Sequence, residues 1–323
     1  MARIYVTHPI SDHGINLLKE KGYEVFINSE QHVFGKEDVI EAIKGKGYDA
    51  ILSLLNDKID ESVFEAAGEQ CKIFANYAVG YNNIDVVAAK RHTIVITNTP
   101  GVLTNTVAEH TFALLLSIMH RVAEADRFTR AGKYEGWAPQ LLLGNDASGK
   151  TLGILGSGRI GSRVAHHGAK GFDMRVIYYD VKRNEHIEQE VGAEFRETVD
   201  EVIKEADIVT IHVPLLDSTR HLINRERLLM MKPTSYLVNT SRGPVIDEHA
   251  LAEALRDGVI KGAALDVFEN EPKYDPIFQG LDNVILTPHI ASGTEETRQA
   301  MSEMAAQNII AALEGQEPPN IVK

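Results

Sequence analysis

The sequence predicts an α/β fold of two lobes, each a parallel sheet with helices on both faces. Three observations carry this expectation. Short apolar runs alternate with helical patterns along most of the chain, as parallel sheets with crossover helices require. Within Thr151–Asp180, a strand, a G-x-G-x-x-G cluster, a helix and a second strand ending on an acid follow one another. The length of 323 residues suits about two domains.

The first lobe reads as strands at Arg3–Thr7, Glu24–Ile27, Ala50–Leu55, Ile73–Asn76 and Ile94–Thr97. Helices fall between them at Ser11–Lys21, Lys36–Lys46 and Ser62–Gly68. Ile15, Leu17 and Leu18 give the first helix its apolar side, and Gly22 stops it. One long helix is expected over Thr106–Gly132. Its apolar positions run nearly all round from Val107 to Met119, so it should be buried on more than one side. Lys133–Lys150 is irregular yet apolar, with Trp137, Pro139 and Leu141–Leu143, and a monomer rarely exposes such a patch. At least six strands make the second lobe, at Leu152–Leu155, Arg175–Tyr179, Ile208–Pro214, Tyr236–Thr240, Gly262–Val267 and Val284–Thr287. Helices near Thr198–Ala206, Arg225–Met231 and Glu248–Asp257 join them. The last helix, Thr294–Glu314, is expected back against the first lobe. The division is therefore 1–99 plus 288–323 for a discontinuous, flavodoxin-like α/β substrate domain. Residues 100–287 make a doubly wound Rossmann cofactor domain that includes the long helix, with the cleft between the lobes.

Each part of the glycine stretch has a task in holding a dinucleotide. Gly156 permits the tight turn, Gly158 has no side chain to keep a pyrophosphate off the backbone, and Gly161 lets the helix pack close to the strand. The helix beginning near Arg159 offers free N–H groups and a partial positive charge to the phosphates. Asp180, 19 residues after Gly161, stands where an acid would accept from the adenosine ribose and repel a 2′-phosphate. NAD(H) is therefore expected over NADP(H), although Lys182 and Arg183 follow closely and would offset some of that repulsion.

Composition excludes several classes. Apolar residues make up 44% and charged residues 24%, an ordinary globular balance. Asp plus Glu number 46 against 33 Lys plus Arg, a net charge of −13, which disfavours nucleic acid and anionic membranes as partners. The run Phe112–Leu116 is too short to cross a bilayer. Cys71 is the only cysteine, so no internal disulfide forms; with no signal peptide visible at Met1–Arg3, a reducing cytoplasm is expected. No H-x-x-x-H or C-x-x-C suggests a metal site, and no G-x-S-x-G suggests serine hydrolysis.

Ligands of doubly wound sheets sit beyond the carboxyl ends of the strands. Three polar residues lie there: Arg242, Glu271 and His289. A guanidinium can hold a carboxylate in a two-point fork and polarise a carbonyl. An imidazole can exchange a proton with the carbonyl oxygen, and a carboxylate can orient that ring and favour its charged form. With a nicotinamide these suit interconversion of 2-keto and 2-hydroxy acids. The plainer reading, that each is structural, stands beside this one on the residues alone. His166 and His167 read as surface or packing residues, His110 and His120 can pack or bond locally, and His8 ends the first strand near the expected cleft.

The phrases Asn76–Asp85, Asn239–Gly243, Leu265–Pro272 and Leu286–Ile290 resemble those of the D-isomer-specific 2-hydroxyacid dehydrogenases. Within that family Asn98–Thr104 and the insert around Trp137 look most like the glyoxylate/hydroxypyruvate reductases. The resemblance covers essentially the whole chain. It implies that Arg242 binds the substrate's carboxylate and carbonyl, that His289 is the acid/base and that Glu271 pairs with it. Backbone N–H groups of Val79 and Gly80 would take the carboxylate's other side. Cofactor contacts would come from the glycine loop (Gly156, Ser157, Gly158, Arg159, Ile160), from Thr106, Asp180 and Pro214, and from Thr240 and Ser241. Asp266 would lie near the carboxamide, and Ala291 beside the nicotinamide. A homodimer is expected from the Thr106–Gly132 helix and the apolar Lys133–Lys150 segment, and the resemblance implies that Trp137 reaches the partner's active site and limits the substrate's side group. Two positions depart from the pattern: Asn82 where Asp is common, and Ala291 where Gly is common.

Other readings remain at this point. A short phosphoglycerate dehydrogenase or a D-lactate enzyme would share the trio, although D-lactate enzymes tend to carry an aromatic residue soon after the histidine, where Ile290-Ala291-Ser292-Gly293 stands here. Formate dehydrogenases would be expected to have Gln in place of Glu271. A non-catalytic NAD-sensing binding protein on the same fold could also retain the trio; the short termini favour the enzyme.

Overall fold

A computed structural model describes residues 1–29 and 34–322. The chain divides into two compact units, Met1–Leu103 with Gly293–Lys323, and Thr104–Ser292. His289 therefore belongs to the second unit.

The first unit has five parallel strands, β1 (Arg3–Val6), β2 (Glu24–Ile27), β3 (Ala50–Ser53), β4 (Ile73–Asn76) and β5 (Val95–Thr97), in the order β2-β1-β3-β4-β5. That order is the flavodoxin one. β3 and β4 are buried throughout, as strands covered on both faces must be. Helices α1 (Asp12–Glu20), α2 (Lys36–Ile43), α3 (Glu61–Ala67) and α4 (Val86–Arg91) connect the strands; the last was not expected. Asp60 and Asp85 cap α3 and α4 by accepting from the N–H groups of Ser62 and Ala88. The last helix of the chain, Glu295–Leu313, returns to this unit and crosses α1 closely. A Cβ on Gly14 would come within 2.1 Å of the Ser302 carbonyl oxygen, so glycine permits the approach.

In the second unit the expected single helix over 106–132 is two helices, α5 (Thr104–Met119) and α6 (Val122–Arg130). Arg121 adopts φ 56°, a left-handed conformation that no helix can continue through. Two contacts stabilise the break. The Asn145 N–H donates to the Met119 carbonyl, and the Arg121 guanidinium forks onto Glu124 in the first turn of α6. α5 is buried on several sides, as its apolar pattern implied, whereas α6 buries none of its residues.

Seven parallel strands follow: β6 (Thr151–Leu155), β7 (Arg175–Tyr179), β8 (Glu194–Phe195), β9 (Ile208–Ile211), β10 (Tyr236–Asn239), β11 (Gly262–Leu265) and β12 (Val284–Leu286). Their order is β12-β11-β10-β9-β6-β7-β8, the doubly wound Rossmann arrangement with one strand added. Between them lie α7 (Arg159–Phe172), α8 (Glu185–Val191), α9 (Val199–Glu205), α10 (Arg225–Met230) and α11 (Glu248–Arg256), and the chain's last helix is α12 (Glu295–Leu313). Neither α8 nor β8 was expected. The period of two divides the strand residues between two cores. Leu152, Ile154, Val176, Tyr178 and Val238 face one, and Leu155, Ile177, Val209, Ile211 and Leu237 face the other. Because every strand of the unit is parallel, all the carboxyl ends share one edge. β6 and β9 are neighbours there, although β6 is followed in sequence by β7 on its other side; this is the switch point.

Candidate active site

The glycine loop leaves β6 at that switch point. Gly156 has φ +95°, and a Cβ on it would strike the main chain of His212–Val213 at 2.8–2.9 Å. A Cβ on Gly161 would lie 1.9 Å from the Gly156 carbonyl oxygen. At Gly158 an added Cβ meets nothing within 4 Å, so the loop is open where a phosphate would approach. Gly158 is the N-cap of α7, whose first turn contributes unsatisfied N–H groups. The loop therefore fits a dinucleotide pyrophosphate on its own geometry.

Asp180 follows β7 and reaches back to this loop. Its Oδ2 accepts the Ser157 N–H at 2.6 Å and the Ser157 hydroxyl at 3.1 Å. No donor among the described residues reaches its Oδ1. Arg183 turns elsewhere: its Nε donates to Glu188 at 2.7 Å, and its guanidinium lies 5.8 Å from the Phe195 ring. Tyr178 donates to the same Glu188 oxygen at 2.7 Å.

At the end of β10, Asn239 shapes the arginine turn. Its Oδ1 accepts from the Ser241 N–H and hydroxyl, and its Nδ2 donates to the Arg242 carbonyl. Thr240, beside it, meets the Thr111 hydroxyl of α5 at 3.0 Å. Arg242 donates to the Ser241 carbonyl at 2.7 Å. Burial pushes its guanidinium below the usual arginine range, and the Glu271 carboxylate acts in the opposite direction. Gly243 brings this turn against the loop after β11, since a Cβ there would sit 1.9 Å from Phe268 main-chain atoms.

Glu271 is bound at both oxygens: Oε1 accepts the Phe268 N–H at 3.0 Å, and Oε2 lies 2.9 Å from His289 Nδ1. Burial raises its carboxyl, but the His289 hydrogen bond and charge, the Phe268 N–H and Arg242 outweigh that and hold it below the usual carboxylate range. His289 has φ +54°, unusual for a side chain without a local reason. Asp266 supplies one. The His289 N–H donates to the Asp266 carbonyl at 2.8 Å. The Asp266 carboxylate accepts from the N–H groups of Ile290 (2.9 Å) and Ala291 (2.7 Å) and from the Thr287 hydroxyl (2.7 Å). His110 Nε2 of α5 lies 3.5 Å from the same carboxylate. Burial raises the Asp266 carboxyl, and this set of donors turns the balance downward.

Sequence reading missed this second task of Asp266. Its oxygens hold the histidine turn, and the signal was present in the chain as an acid ending one strand beside the next. Ala291, where glycine is common in the resembling family, is buried with its N–H on that acid. His212 was also overlooked. It is half-buried, with its Nε2 shut off from solvent and without a partner among the described residues, and burial pushes it down to about 3, which disfavours its charged form. His167 packs edge-on against Phe112 and His166 binds Glu190 at 2.7 Å, the packing and surface roles expected of them. Thr106 lies in the first turn of α5, and Pro214 follows β9 with its carbonyl accepting the Thr219 hydroxyl at 2.7 Å.

In the first unit, Val79 and Gly80 form the turn after β4, and their carbonyls accept from the side chains of Asn98 and Asn76. His8 Nδ1 lies 3.1 Å from the Thr7 carbonyl. Trp137, in the second unit, is 83% exposed in an irregular segment that also exposes Tyr134 and Leu143. No group of metal-ligating side chains occurs among the described residues, and none of the described helices is long and apolar enough to cross a membrane.

Known proteins resemble this chain in sequence and in fold. A sequence model of the D-isomer specific 2-hydroxyacid dehydrogenase NAD binding domain matches residues 112–291. A glyoxylate reductase of Pyrococcus furiosus is 47% identical over 99% of this chain and 95% of its own. A crystal structure of a Thermus thermophilus protein superposes with a TM-score of 0.92 at 39% identity, covering 99% of this chain and all of that one. The NADPH-dependent glyoxylate/hydroxypyruvate reductase of Sinorhizobium meliloti, crystallised with citrate, superposes at 0.87 with 31% identity, covering 100% of this chain and 98% of that one. Sequence, sheet order and relatives lead to one conclusion: the chain belongs to the D-isomer-specific 2-hydroxyacid dehydrogenase family.

Proposed function

We propose that this protein is an NADH-dependent reductase of small 2-keto acids of the glyoxylate and hydroxypyruvate kind, forming the D-2-hydroxy acid. The observation that carries the reading is the 2.9 Å pair of His289 and Glu271 on the strand edge that also bears the open glycine loop. A bound nicotinamide supplies the hydride. Arg242 is assigned to the substrate's carboxylate and carbonyl, and the Val79 and Gly80 N–H groups are assigned to the carboxylate. Glu271 occupies Nδ1 of His289, which leaves Nε2 to protonate the carbonyl oxygen. Thr106, Arg159, Ile160, Pro214, Thr240, Ser241 and Ala291 are assigned to the cofactor. For Asp266 the holding of the histidine turn is added to its expected place near the carboxamide. A single buried cysteine accords with a reducing cytoplasm.

NADH is assigned over NADPH because Asp180 would repel a 2′-phosphate and Arg183, one of the two candidates to neutralise it, is bound to Glu188. The Sinorhizobium meliloti protein is NADPH-dependent, so the assignment to NADH rests on Asp180 and Arg183 of this chain. A panel of 2-keto acids assayed with both cofactors tests the whole reading. Fastest turnover is expected with glyoxylate and hydroxypyruvate and with NADH, and Asp180→Ala should narrow the gap between cofactors. A tenfold or greater wild-type preference for NADPH would refute the cofactor assignment. NADH binding without turnover of any keto acid would favour a binding protein instead.

We further propose a homodimer built on α5, α6 and the 133–150 segment. Exposed Trp137, Tyr134 and Leu143 support it, as does the absence of buried residues on α6. In such a dimer Trp137 would reach the partner's site and limit the substrate's side group. Sedimentation at micromolar concentration should show the dimer; a fully active monomer ends the proposal. Trp137→Ala should change the kcat/KM ratio between glyoxylate and bulkier keto acids. Unchanged ratios in a dimeric variant would leave the tryptophan as an anchor only.

A further inference from the structure

We propose that Asn98 is a positioning residue for the substrate's carboxylate: together with the Thr99 N–H it aims the Val79 and Gly80 N–H groups at the anion. The inference rests on the reading of those two groups as carboxylate donors.

The observations all lie within the first unit. Three successive carbonyls of the turn after β4 are engaged. Ala78 O accepts the Thr99 N–H at 2.9 Å, Val79 O accepts Asn98 Nδ2 at 2.7 Å, and Gly80 O accepts Asn76 Nδ2 at 2.9 Å. Asn83 Nδ2 lies 3.4 Å from Asn76 Oδ1 and also donates to the carbonyls of Leu54 (3.1 Å) and Asp57 (3.0 Å), so it ties this turn to the loop after β3. Asn98 starts from a fixed base. Its N–H donates to the Asn320 carbonyl at 3.2 Å, and its own carbonyl accepts from Asn308 of α12 at 3.4 Å. Among the described residues, no acceptor meets the N–H of Val79 or that of Gly80.

Peptide geometry turns these bonds into a direction. In a planar trans peptide, the carbonyl of one residue and the N–H of the next point opposite ways, and the bonds here are trans. The Ala78 carbonyl faces Thr99, so the Val79 N–H faces away from it. The Val79 carbonyl faces Asn98, so the Gly80 N–H faces away as well. The two acceptors are held by consecutive residues of one segment, so both donors emerge on the side remote from it. Backbone donors without an internal partner need water or a ligand. A pair of adjacent ones suits an anion, carboxylates included. Held in advance, they need no reorganisation when the anion arrives. The Thr99 half of the clamp is main chain; the Asn98 half depends on a side chain and can be removed.

The test uses the full-length protein saturated with NADH, with oxamate, an unreactive 2-oxo carboxylate of the shape of pyruvate, as inhibitor. In Asn98→Ala, the KM for glyoxylate and the oxamate inhibition constant should rise together by about tenfold, the size of one misdirected hydrogen bond. The carboxylate is held alike before and during the reaction, so kcat should stay within about threefold of wild type. NADH affinity should not change. Asn98→Asp keeps the size and the main-chain contacts but has no N–H to give. It should show the same split, and it replaces the alanine variant if that one does not fold. Gly80→Pro, which deletes one of the two donors, tests the underlying reading separately. If Gly80→Pro raises both constants and a folded Asn98 variant raises neither, Asn98 has no positioning role and the carboxylate reading stands. If Gly80→Pro changes neither constant, the carboxylate reading falls and the proposal falls with it. Parallel losses of kcat, NADH affinity and melting temperature in both Asn98 variants would also overturn it, since a positioning residue should spare them.

Discussion

His289→Ala is expected to lower kcat for keto-acid reduction by roughly 10²–10⁴, the range for loss of a positioned acid/base. The fold should survive the change. The turn's main-chain hydrogen bonds to Asp266, from the N–H groups of residues 289, 290 and 291, do not involve the imidazole. NADH binding, followed by fluorescence, should therefore stay close to wild type while turnover collapses. A variant that keeps more than about a tenth of wild-type kcat would remove His289 from the proton path. His212, also at this strand edge, is poorly suited to take over, because burial disfavours its charged form.

Arg242→Lys should be nearly as damaging despite keeping the charge. A guanidinium presents a planar fork that can hold a carboxylate at two points and still lie against a carbonyl, whereas an ammonium is a point donor on a flexible stem. The site magnifies the difference. Arg242 is buried enough for its guanidinium to be pushed below the usual range, and its carbonyl is pinned by Asn239. Loss of a donor that polarises a reacting carbonyl costs about 10²–10³ in kcat, and loss of the fork should raise KM as well. Steady-state kinetics with glyoxylate separate the two effects. A rise in KM with unchanged kcat would leave Arg242 as a binding group that does not polarise the carbonyl.

Much of this arrangement could be read in the chain because it is local. The glycine spacing, the strand on either side and Asp180 all fall in one continuous stretch, and their roles follow from short-range sterics at Gly156 and Gly161. Both sheets could be read for a similar reason: strands such as β3, β4 and β9 are buried on both faces and appear as mainly apolar runs, each with one polar residue. Arg242, Glu271 and His289 could be placed at strand ends, since parallel strands bring their carboxyl ends to one edge. What could not be read depends on partners distant in sequence. The break at Arg121 has no glycine or proline to announce it; it is set by Asn145, more than twenty residues on, and by a fork to Glu124. The second task of Asp266 went unread because its hold on the histidine turn spans residues 266–291. α4, α8 and β8, of six, seven and two residues, were also not expected.

The pairing of Glu271 with His289 is the centre of the account, and the pH profile of Glu271→Gln tests it most directly. Reduction consumes a proton, so it requires His289 in its protonated form. The Glu271 carboxylate lies 2.9 Å from His289 Nδ1, where a negative charge supports a protonated ring. Glutamine keeps the shape and removes the charge, so the imidazolium loses that support. The alkaline limb of kcat/KM for glyoxylate reduction should then move to lower pH, with NADH affinity nearly unchanged. Superimposable profiles for the wild type and Glu271→Gln would contradict the account.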